Sequence, residues 1–563
     1  MPDVFEPARR WTVSKTNSEY LRYIAAKFSI SPVLAQVLVG RGVRSPEDVR
    51  RFLEPDLGDL HDAFAIPDMA VACDRIRHAA AHGEQVLVVG DYDVDGLTST
   101  AVLTDVLERL GVSQRHIIPH RLSDGYGLKA AFLEEAARSG VHLVITVDCG
   151  ISAVTEARLA SSLGLDLIIT DHHRQSGPMP EALAVVNPHR NDSTYPFPEL
   201  AGVGVVYKLA ESLLGRQGAR AYLDLVALGT VADIVPLLDE NRILVRAGLD
   251  AIRTFPRPGI QALCSRASLD TATLTSNRLS YVLAPRLNAA GRLGDANPVI
   301  DLFKTQDTEK AAELADQLDQ ANRERQKLDS AVFAEARALA DVPEPSDVAV
   351  LGSESWHPGV LGIAAARLVD LTGRPVFLLN LENGLAKGSG RSIPAFNLVA
   401  ALEACADLLE GFGGHHQAAG IRLKTGHIQE FRDRISNVFR SQVEPDDLVP
   451  LLTLDAEVRA TDLTLDLVKE IERLEPVGFG NQSPVLGCKG LSVTSSRLVG
   501  RNHLKLRLSG GRASLDAILF GAGEDALERI PDQGHIDVAF VPQINEWEGR
   551  RSLQINLRGI RRG

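Results

Sequence analysis

The chain has 563 residues, with 60 Lys+Arg against 73 Asp+Glu and a formal net charge of −13. At roughly 100–200 residues per domain this predicts about three to five domains, each with its own core. An apolar share of 45% with 24% charged residues excludes a wholly disordered or collagen-like chain, and the acid surplus argues against a protein that simply coats nucleic acid.

The N-terminus, MPDVFEPARRWTV, is charged and has no apolar h-region, so no signal peptide is expected. No apolar run approaches the roughly 18 residues that cross a bilayer. Five cysteines (Cys73, Cys149, Cys264, Cys405, Cys488) stand far apart without C-x-x-C or metal-finger spacing. That pattern suits reduced thiols and a cytoplasmic location, away from membranes.

A helical segment is expected over 1–75. From about 84 to 190, β-rich runs at Gln85–Val89, His116–Pro119, His142–Val147, Leu167–Thr170 and Ala184–Val186 alternate with helix-like stretches at Ser99–Leu110, Leu128–Ser139 and Ala153–Leu163. Alternating βα units predict a parallel sheet with helices on both faces, and ligands bind beyond the carboxyl ends of such strands. From Val299 to Asp341 there is neither Gly nor Pro, and Leu314, Leu318, Ala321, Leu328, Val332 and Leu339 recur at helical spacing. This predicts one long helix of about 36 residues, ended by DVPEPSD (341–347), and so a domain boundary. A second α/β segment follows to about 445, where EPDDLVP (444–450) punctuates the chain.

The last part reads as a small β-barrel, from alternating runs at Ser492–Ser495, Leu504–Leu508, Ser514–Leu519, Ile536–Val541 and Ser552–Leu557. Residues 488–563 hold 12 Lys+Arg against 8 Asp+Glu, a surplus of four that leaves −17 for the rest. The basic residues group as Arg497, Arg501, His503, Lys505, Arg507 and Arg512, and again as Arg550, Arg551, Arg558, Arg561 and Arg562. A solvated basic face and a nucleic-acid surface both remain open.

Four strand or segment ends carry chemistry. Gln85–Val89 runs into Gly90-Asp91-Tyr92-Asp93-Val94-Asp95-Gly96, and three carboxylates at alternate positions after a buried strand repel one another without a cation. An EF-hand fails, because Val102 stands where its twelfth-position Glu belongs and a strand, not a helix, precedes the motif. Asp148 ends the next strand, Asp171-His172-His173 the one after, and Asp233 follows an apolar run. Asp91, Asp93, Asp95, Asp148, His172, His173 and Asp233 are therefore convergent oxygen and nitrogen ligands. Two divalent cations about 3.5–4 Å apart with a bridging carboxylate account for them, and phosphoester or phosphoanhydride hydrolysis is the usual chemistry of such a pair. Ligation without thiolate favours Mn²⁺ or Mg²⁺ over structural Zn²⁺. Further on, Lys387-Gly388-Ser389-Gly390-Arg391-Ser392 and Gly411–Gly420 read as glycine-rich turns able to hold a phosphate, although neither follows the Walker A order.

These residues resemble a known family. GDYDVDG (90–96), VDCG (147–150), DHH (171–173) and Asp233 resemble motifs I to IV of the DHH phosphoesterases. GSGRS (388–392) and GGHHQAAG (413–420) are similar to the associated DHHA1 domain. With a β-domain after them, the order resembles the RecJ family of single-strand-specific 5′→3′ DNA exonucleases. LAPRLNAAGRL (283–293) and SWHPGV (355–360) look like that family rather than its shorter relatives. The resemblance implies an α/β multidomain chain: a parallel-sheet DHH domain (76–304), a connecting helix (305–340), an α/β DHHA1 domain (345–445) and an OB-fold-like barrel (450–563).

It also implies Asp93 and Asp95 as metal ligands, Asp148 as the bridge, and His172 and Asp233 as ligands of the second ion. Some relatives begin the first motif with a His four residues before the second acid; this chain has Val89 there and offers Asp91 instead, as a ligand or beside the ligands. His173 is implied to donate to the scissile phosphate. Ser389 and Arg391 would hold the 5′-phosphate, with Arg121 as a third clamp. Tyr126 would stack on the terminal base, and Arg286 with Arg292 would line the strand's path. Expected partners are single-stranded DNA with a 5′ end, a single-strand-binding protein and a helicase, and the expected setting is repair and recombination. Two alternatives stay open: another DHH/DHHA1 phosphoesterase acting on oligoribonucleotides or cyclic dinucleotides, and a non-catalytic scaffold.

Overall fold

Buried apolar strands alternating with helices build the first half of the chain around a parallel sheet. The computed structural model describes residues 10–562 apart from 15, 122, 341–346, 450, 501, 531–534 and 548. Arg501 and most of DVPEPSD therefore lie outside the described residues. The chain divides into two compact units, one of Glu47–Arg325 with Leu474–Gln482, the other of Met1–Pro46, Gln326–Arg473 and Ser483–Gly563.

In the first unit, strands β1 (Gln85–Val89), β2 (Ser113–Ile117), β3 (Val141–Val147), β4 (Asp166–Thr170) and β5 (Ala184–Val186) form a sheet in the order β2-β1-β3-β4-β5. Every pairing is parallel. Helices α1 (Val94–Arg109), α2 (Ala130–Arg138) and α3 (Val154–Ser162) make the crossovers, and α4 (Gly202–Ala219) and α5 (Leu223–Ala232) follow. Strand order reverses between β1 and β3, which is the switch point where ligands bind in sheets of this topology.

Two starts in this unit move by three residues or more from the sequence expectation, each for a physical reason. β2 starts at Ser113 because it is the edge strand, where Ser-Gln-Arg keep partial access to water. α1 starts at Val94, not Ser99, because Asp93 caps it by accepting from the Asp95 and Gly96 amides at 3.0 and 3.2 Å. The acidic turn is thus the first turn of a buried helix.

The long helix α6 (Thr308–Ala340, 33 residues) passes from one unit into the other. Val299–Lys304 belongs to a separate helix, Asn297–Lys304. The break comes where Asp307 accepts from the Glu309 and Lys310 amides, a capping signal that the Gly/Pro-free stretch concealed.

In the second unit, β6 (Ala349–Ser353), α7 (Leu361–Thr372), β7 (Val376–Glu382), β8 (Leu385–Arg391), β9 (Leu409–His415), β10 (Ala418–Lys424) and α8 (Ile428–Gln442) form an α/β layer. Its sheet order is β9-β10-β8-β7-β6. The expected GSGRS loop is a strand, the end of β8. A Cβ at Gly390 would come within 2.4 Å of the Phe377 ring, so glycine there admits a neighbouring side chain and confers no flexibility. GGHHQAAG is a hairpin, with only His416 and Gln417 between β9 and β10.

Strands β11 (Leu486–Val499), β12 (His503–Gly510), β13 (Ala513–Leu519), β14 (His535–Trp547) and β15 (Arg550–Arg562) close into a five-stranded barrel through the β11–β14 and β13–β15 pairings. The N-terminal segment is not purely helical: Arg10–Val13 is a strand, paired in parallel with Leu451–Leu454. Among the described residues no single helix is long and apolar enough to cross a membrane.

Candidate metal centre

The sheet's carboxyl edge gathers the acids. After β1, Asp93 is held as the α1 cap, and Asp95 accepts from the Gly202 and Val203 amides at 2.7 and 2.8 Å. Those amides open α4, so the positive end of its dipole faces the carboxylate. After β3, Asp148 takes a left-handed φ of 59°, a strained conformation for a non-glycine residue. A Cβ on Gly202 would stand 2.7 Å from Asp148 Oδ1, so only glycine lets α4 start this close.

After β4, Asp171 organises both histidines. Its Oδ1 accepts from the His172 amide (2.7 Å), the His173 amide (3.0 Å) and His173 Nδ1 (2.7 Å), while Oδ2 accepts from the Ile151 amide at 2.8 Å. An ionised carboxylate can only accept, so Nδ1 of His173 carries a proton and Nε2 is the outward atom. His172 Nε2 lies 3.2 Å from Asp148 Oδ1, 3.6 Å from Asp233 Oδ2 and 3.9 Å from Asp95 Oδ2. Asp233 ends α5, where the helix dipole is negative and a carboxylate is misplaced unless a cation offsets it.

The electrostatics are those of a site built for positive charge. Burial, then the neighbouring aspartates, push the Asp148 carboxyl well above the usual range, and burial then Asp93 does the same to Asp91. Asp233 is raised chiefly by burial, against the pull of His172, and Asp95 is raised for the same reason. Burial would lower His172, but Asp233 and Asp95 outweigh it and the imidazole is raised. Asp171 is the exception: burial opposes its ionisation, yet the hydrogen bond and charge of His173 hold it down to about 2.

Asp91 Oδ1, Asp148 Oδ1 and His172 Nε2 are buried with no hydrogen-bond partner. Orphaned acceptors facing one another in a dry site are costly. Three overlapping sets have donor atoms mutually within 4.8 Å: Asp148, His172 and His173; Asp95, His172 and Asp233; Asp91, Asp93 and Asp148. Asp148 is common to the first and third sets, and His172 to the first and second. Carboxylate and imidazole donors without thiolate fit Mn²⁺ or Mg²⁺.

The remaining nominated residues fall in three places. Arg121 lies over the Tyr92 ring at 5.1 Å, beside the first motif, and the charge of Arg292 also acts on Tyr92. Tyr126 turns its hydroxyl inward, 3.3 Å from both the Asp148 carbonyl and His173 Nδ1, although nearly half the residue is exposed. Arg286 is tied into a partly buried ion pair with Asp319 at 3.0 Å and donates to the Val282 carbonyl. The ion pair is thus the observed state of a residue expected along the strand's path. Ser389 and Arg391 belong to the other unit. There Arg391 Nη1 donates to Ser389 Oγ at 2.7 Å, and both flank Gly362 in the first turn of α7.

Sequence reasoning overlooked Asp171 as an organiser, and also Asn187. Asn187 donates to the His173 carbonyl at 2.9 Å and accepts from the His189 amide at 2.7 Å. Both are polar residues immediately after an apolar strand, the signal that singled out Asp91 and Asp148.

The sequence matches the DHH family, N-terminal domain, over 85–230, the DHHA1 domain over 346–441 and the RecJ OB domain over 454–559. It is 37% identical to the single-stranded-DNA-specific exonuclease RecJ of Bacillus subtilis over 98% of this chain and 70% of that protein. It is 35% identical to the Escherichia coli protein of the same name over 94% of this chain and 96% of that one. The chain belongs to the RecJ family. The RecJ of Thermus thermophilus, crystallised with Mn²⁺, superposes with a TM-score of 0.86 at 30% identity, over 99% of this chain and 80% of that one. Its Mg²⁺ complex superposes at 0.80 with 28% identity, over 99% and 79%. RecJ structures thus hold the two cations that the donor set favours.

Proposed function

We propose that this protein is a single-strand-specific 5′→3′ DNA exonuclease that hydrolyses phosphodiesters at the Asp/His centre and releases 5′-mononucleotides. The observation that carries the reading is the shared Asp148 at the β1/β3 switch point, with orphaned acceptors on either side, in a chain of the RecJ family.

Asp91, Asp93, Asp95, Asp148, His172 and Asp233 would hold two divalent cations, with Asp148 common to both. When bound, such a pair neutralises the carboxylates, activates water and offsets charge developing at phosphorus. The chain's own residues supply the rest. His173, its Nδ1–H held by Asp171, presents Nε2 to the phosphate and, as the doubly protonated imidazolium, would donate from it to a phosphate oxygen as charge grows there. Tyr126 braces that imidazole through its hydroxyl and offers its exposed ring to a terminal base. Arg391 and Ser389, beside the amides that open α7, form an anion site suited to a 5′-phosphate, because a guanidinium and a helix N-terminus both favour negative charge. Arg121, beside Tyr92, would clamp a backbone phosphate. Arg286 would serve the strand only by exchanging Asp319 for phosphate.

The barrel suits a single-strand platform, since stacking and basic side chains on such barrels tolerate any sequence. Five free, buried cysteines support a reducing, cytoplasmic setting. Delivery of the strand by a helicase or a single-strand-binding protein, in repair and recombination, belongs to the same proposal.

The test is Mn²⁺-dependent digestion of end-labelled single strands bearing 5′-phosphate, 5′-hydroxyl or blocked 5′ ends, beside a blunt duplex. Mononucleotide release from the 5′-phosphorylated strand alone is expected. Equal digestion of the duplex would sink the single-strand claim, and activity confined to di- to pentanucleotides would point to the oligonucleotide phosphoesterases.

A further inference from the structure

Asp233 is followed by a segment that a distant part of the chain braces. Leu474–Gln482 groups with the first unit although it lies far beyond Arg325 in the chain. The buried Arg242 guanidinium donates to the carbonyls of Leu474 (2.9 Å), Glu475 (3.0 Å) and Pro476 (3.2 Å). Ser276 Oγ donates to the Val477 carbonyl at 2.6 Å and accepts from its amide at 3.0 Å. Asn481 closes the turn on Gly478 and donates its side-chain amide to Leu474 and Pro476.

The strap ends against the residues just after Asp233. The Leu237 amide donates to the Phe479 carbonyl at 2.8 Å. Both glycines flanking Phe479 are pressed onto the same segment: a Cβ at Gly478 would meet Leu237 Cδ1 at 2.7 Å, and one at Gly480 would meet Pro236 Cβ at 3.0 Å. The backbone is docked tightly, yet the one large side chain of the turn is left in water, with Phe479 54% exposed. Ile234, the residue after Asp233, is likewise 66% exposed and held at a φ of 64°, which a β-branched residue adopts only under constraint.

A single exposed apolar side chain needs no explanation. Phe255, for example, is more exposed than Phe479 and merely follows a helix end. Phe479 differs because its own carbonyl is held by the Leu237 amide, four residues after Asp233, while Arg242, Ser276 and Asn481 fix the residues that lead into it. A solvent-facing ring on a backbone already held in place leaves only its own rotamer to be ordered when a flat ligand settles on it.

We propose that Phe479 is a stacking platform for a nucleobase of the single strand engaged at the metal centre, with Ile234 as an apolar neighbour to the same nucleotide. The inference rests on the proposed function, which supplies the strand. A duplex keeps its bases stacked within itself, so a platform of this kind rewards only an unpaired strand.

The test is binding of a fluorescein-labelled, 5′-phosphorylated oligo(dT) in EDTA, where no hydrolysis occurs, to the wild type and to Phe479→Ala, Phe479→Leu and Phe479→Trp. Loss of one base stack predicts about tenfold weaker binding for the alanine and leucine variants, and wild-type or tighter binding for tryptophan. A single abasic site moved along the strand should weaken wild-type binding at one position and leave Phe479→Ala indifferent there. Wild-type affinity in Phe479→Leu, which keeps the bulk and lacks the π face, would overturn the proposal, as would an abasic scan equally flat for both proteins. Should the alanine variant fail to fold, the leucine and tryptophan variants decide alone. If the wild type neither binds nor digests single strands, the functional reading itself has failed. If it does both and Phe479→Leu matches it, only the platform has.

Discussion

Replacing Asp171 separates positioning from metal holding. Its Oδ1 accepts three hydrogen bonds and its Oδ2 one, all between 2.7 and 3.0 Å, in a fully buried site. In Asp171→Asn the amide oxygen can keep the Oδ1 place, but the amide nitrogen then faces the Ile151 N–H, donor against donor. One bond is lost and one donor is stranded, a cost of about 1–3 kcal/mol. Asp171→Ala removes the acceptor from three backbone amides and from His173 Nδ1 together. Stripping a buried charge from its partners costs about 3–5 kcal/mol. Activity should follow the same order, with turnover falling about tenfold for asparagine, which still holds the ring, and about 100-fold for alanine, which frees it. The measurements are turnover on a 5′-phosphorylated strand at saturating Mn²⁺ and hydrogen exchange at the Ile151, His172 and His173 amides. Wild-type exchange in both variants would refute the claim that Asp171 organises this corner. Lost protection in the alanine variant with turnover intact would refute the claim that His173 must be positioned.

Mn²⁺ should raise the midpoint of thermal unfolding over an EDTA control, by a margin that shrinks between pH 7.5 and 5.5. The raised carboxyls of Asp91, Asp148 and Asp233 disfavour the metal-free fold increasingly as pH rises through their folded-state values, and at lower pH the cation must displace protons from them. Asp95→Asn and Asp233→Asn should both abolish hydrolysis, yet differ without metal. The first keeps its amide oxygen for one helix-opening N–H but turns its amide nitrogen on the other and lowers the unfolding midpoint, whereas the second relieves a carboxylate at a helix C-terminus and leaves it unchanged or higher. Gly362→Ala places a methyl 2.6 Å from Arg391 Nη2 and 3.1 Å from Ser389 Oγ. Its preference for 5′-phosphate over 5′-hydroxyl should fall about tenfold with Mn²⁺ affinity unchanged, as read by competition between the two strands.

What the sequence disclosed, it disclosed through strands. The apolar runs β1, β3 and β4 of the parallel sheet lead into polar residues at the same edge, so Asp91, Asp148 and His172 could be grouped before any geometry was known. Asp233 was harder, because it ends a helix that is apolar on all sides and has no periodic face to orient it. Three features escaped, one because a local signal was masked and two because their signals are not local. The start of α1 depends on Asp93 acting as a cap, which a repeated Asp pattern hides. The GSGRS segment is a strand because β10 and β7 pair with it on either side, an arrangement that its glycines alone argue against. The strap carrying Phe479 is held by Arg242 and Ser276, more than 190 residues earlier, and no spacing rule links them.

The net charge of −13 is not spread as a repulsive coat; part of it is concentrated where the fold has arranged three different settings for the same side chain. Asp95 faces a helix N-terminus and Asp93 caps another, so backbone dipoles already share their charge. Asp233 faces the opposite pole, and Asp148 has an oxygen with no donor at all. The backbone therefore supplies only part of the compensation and leaves the rest to cations. A site fully neutralised by its own amides would fold well and hold metal weakly, while one with no amides would repel itself apart. Between those limits, the orphaned oxygens of Asp91 and Asp148 keep the centre incomplete until a divalent ion arrives, and the dipoles at Asp93 and Asp95 keep it folded until then.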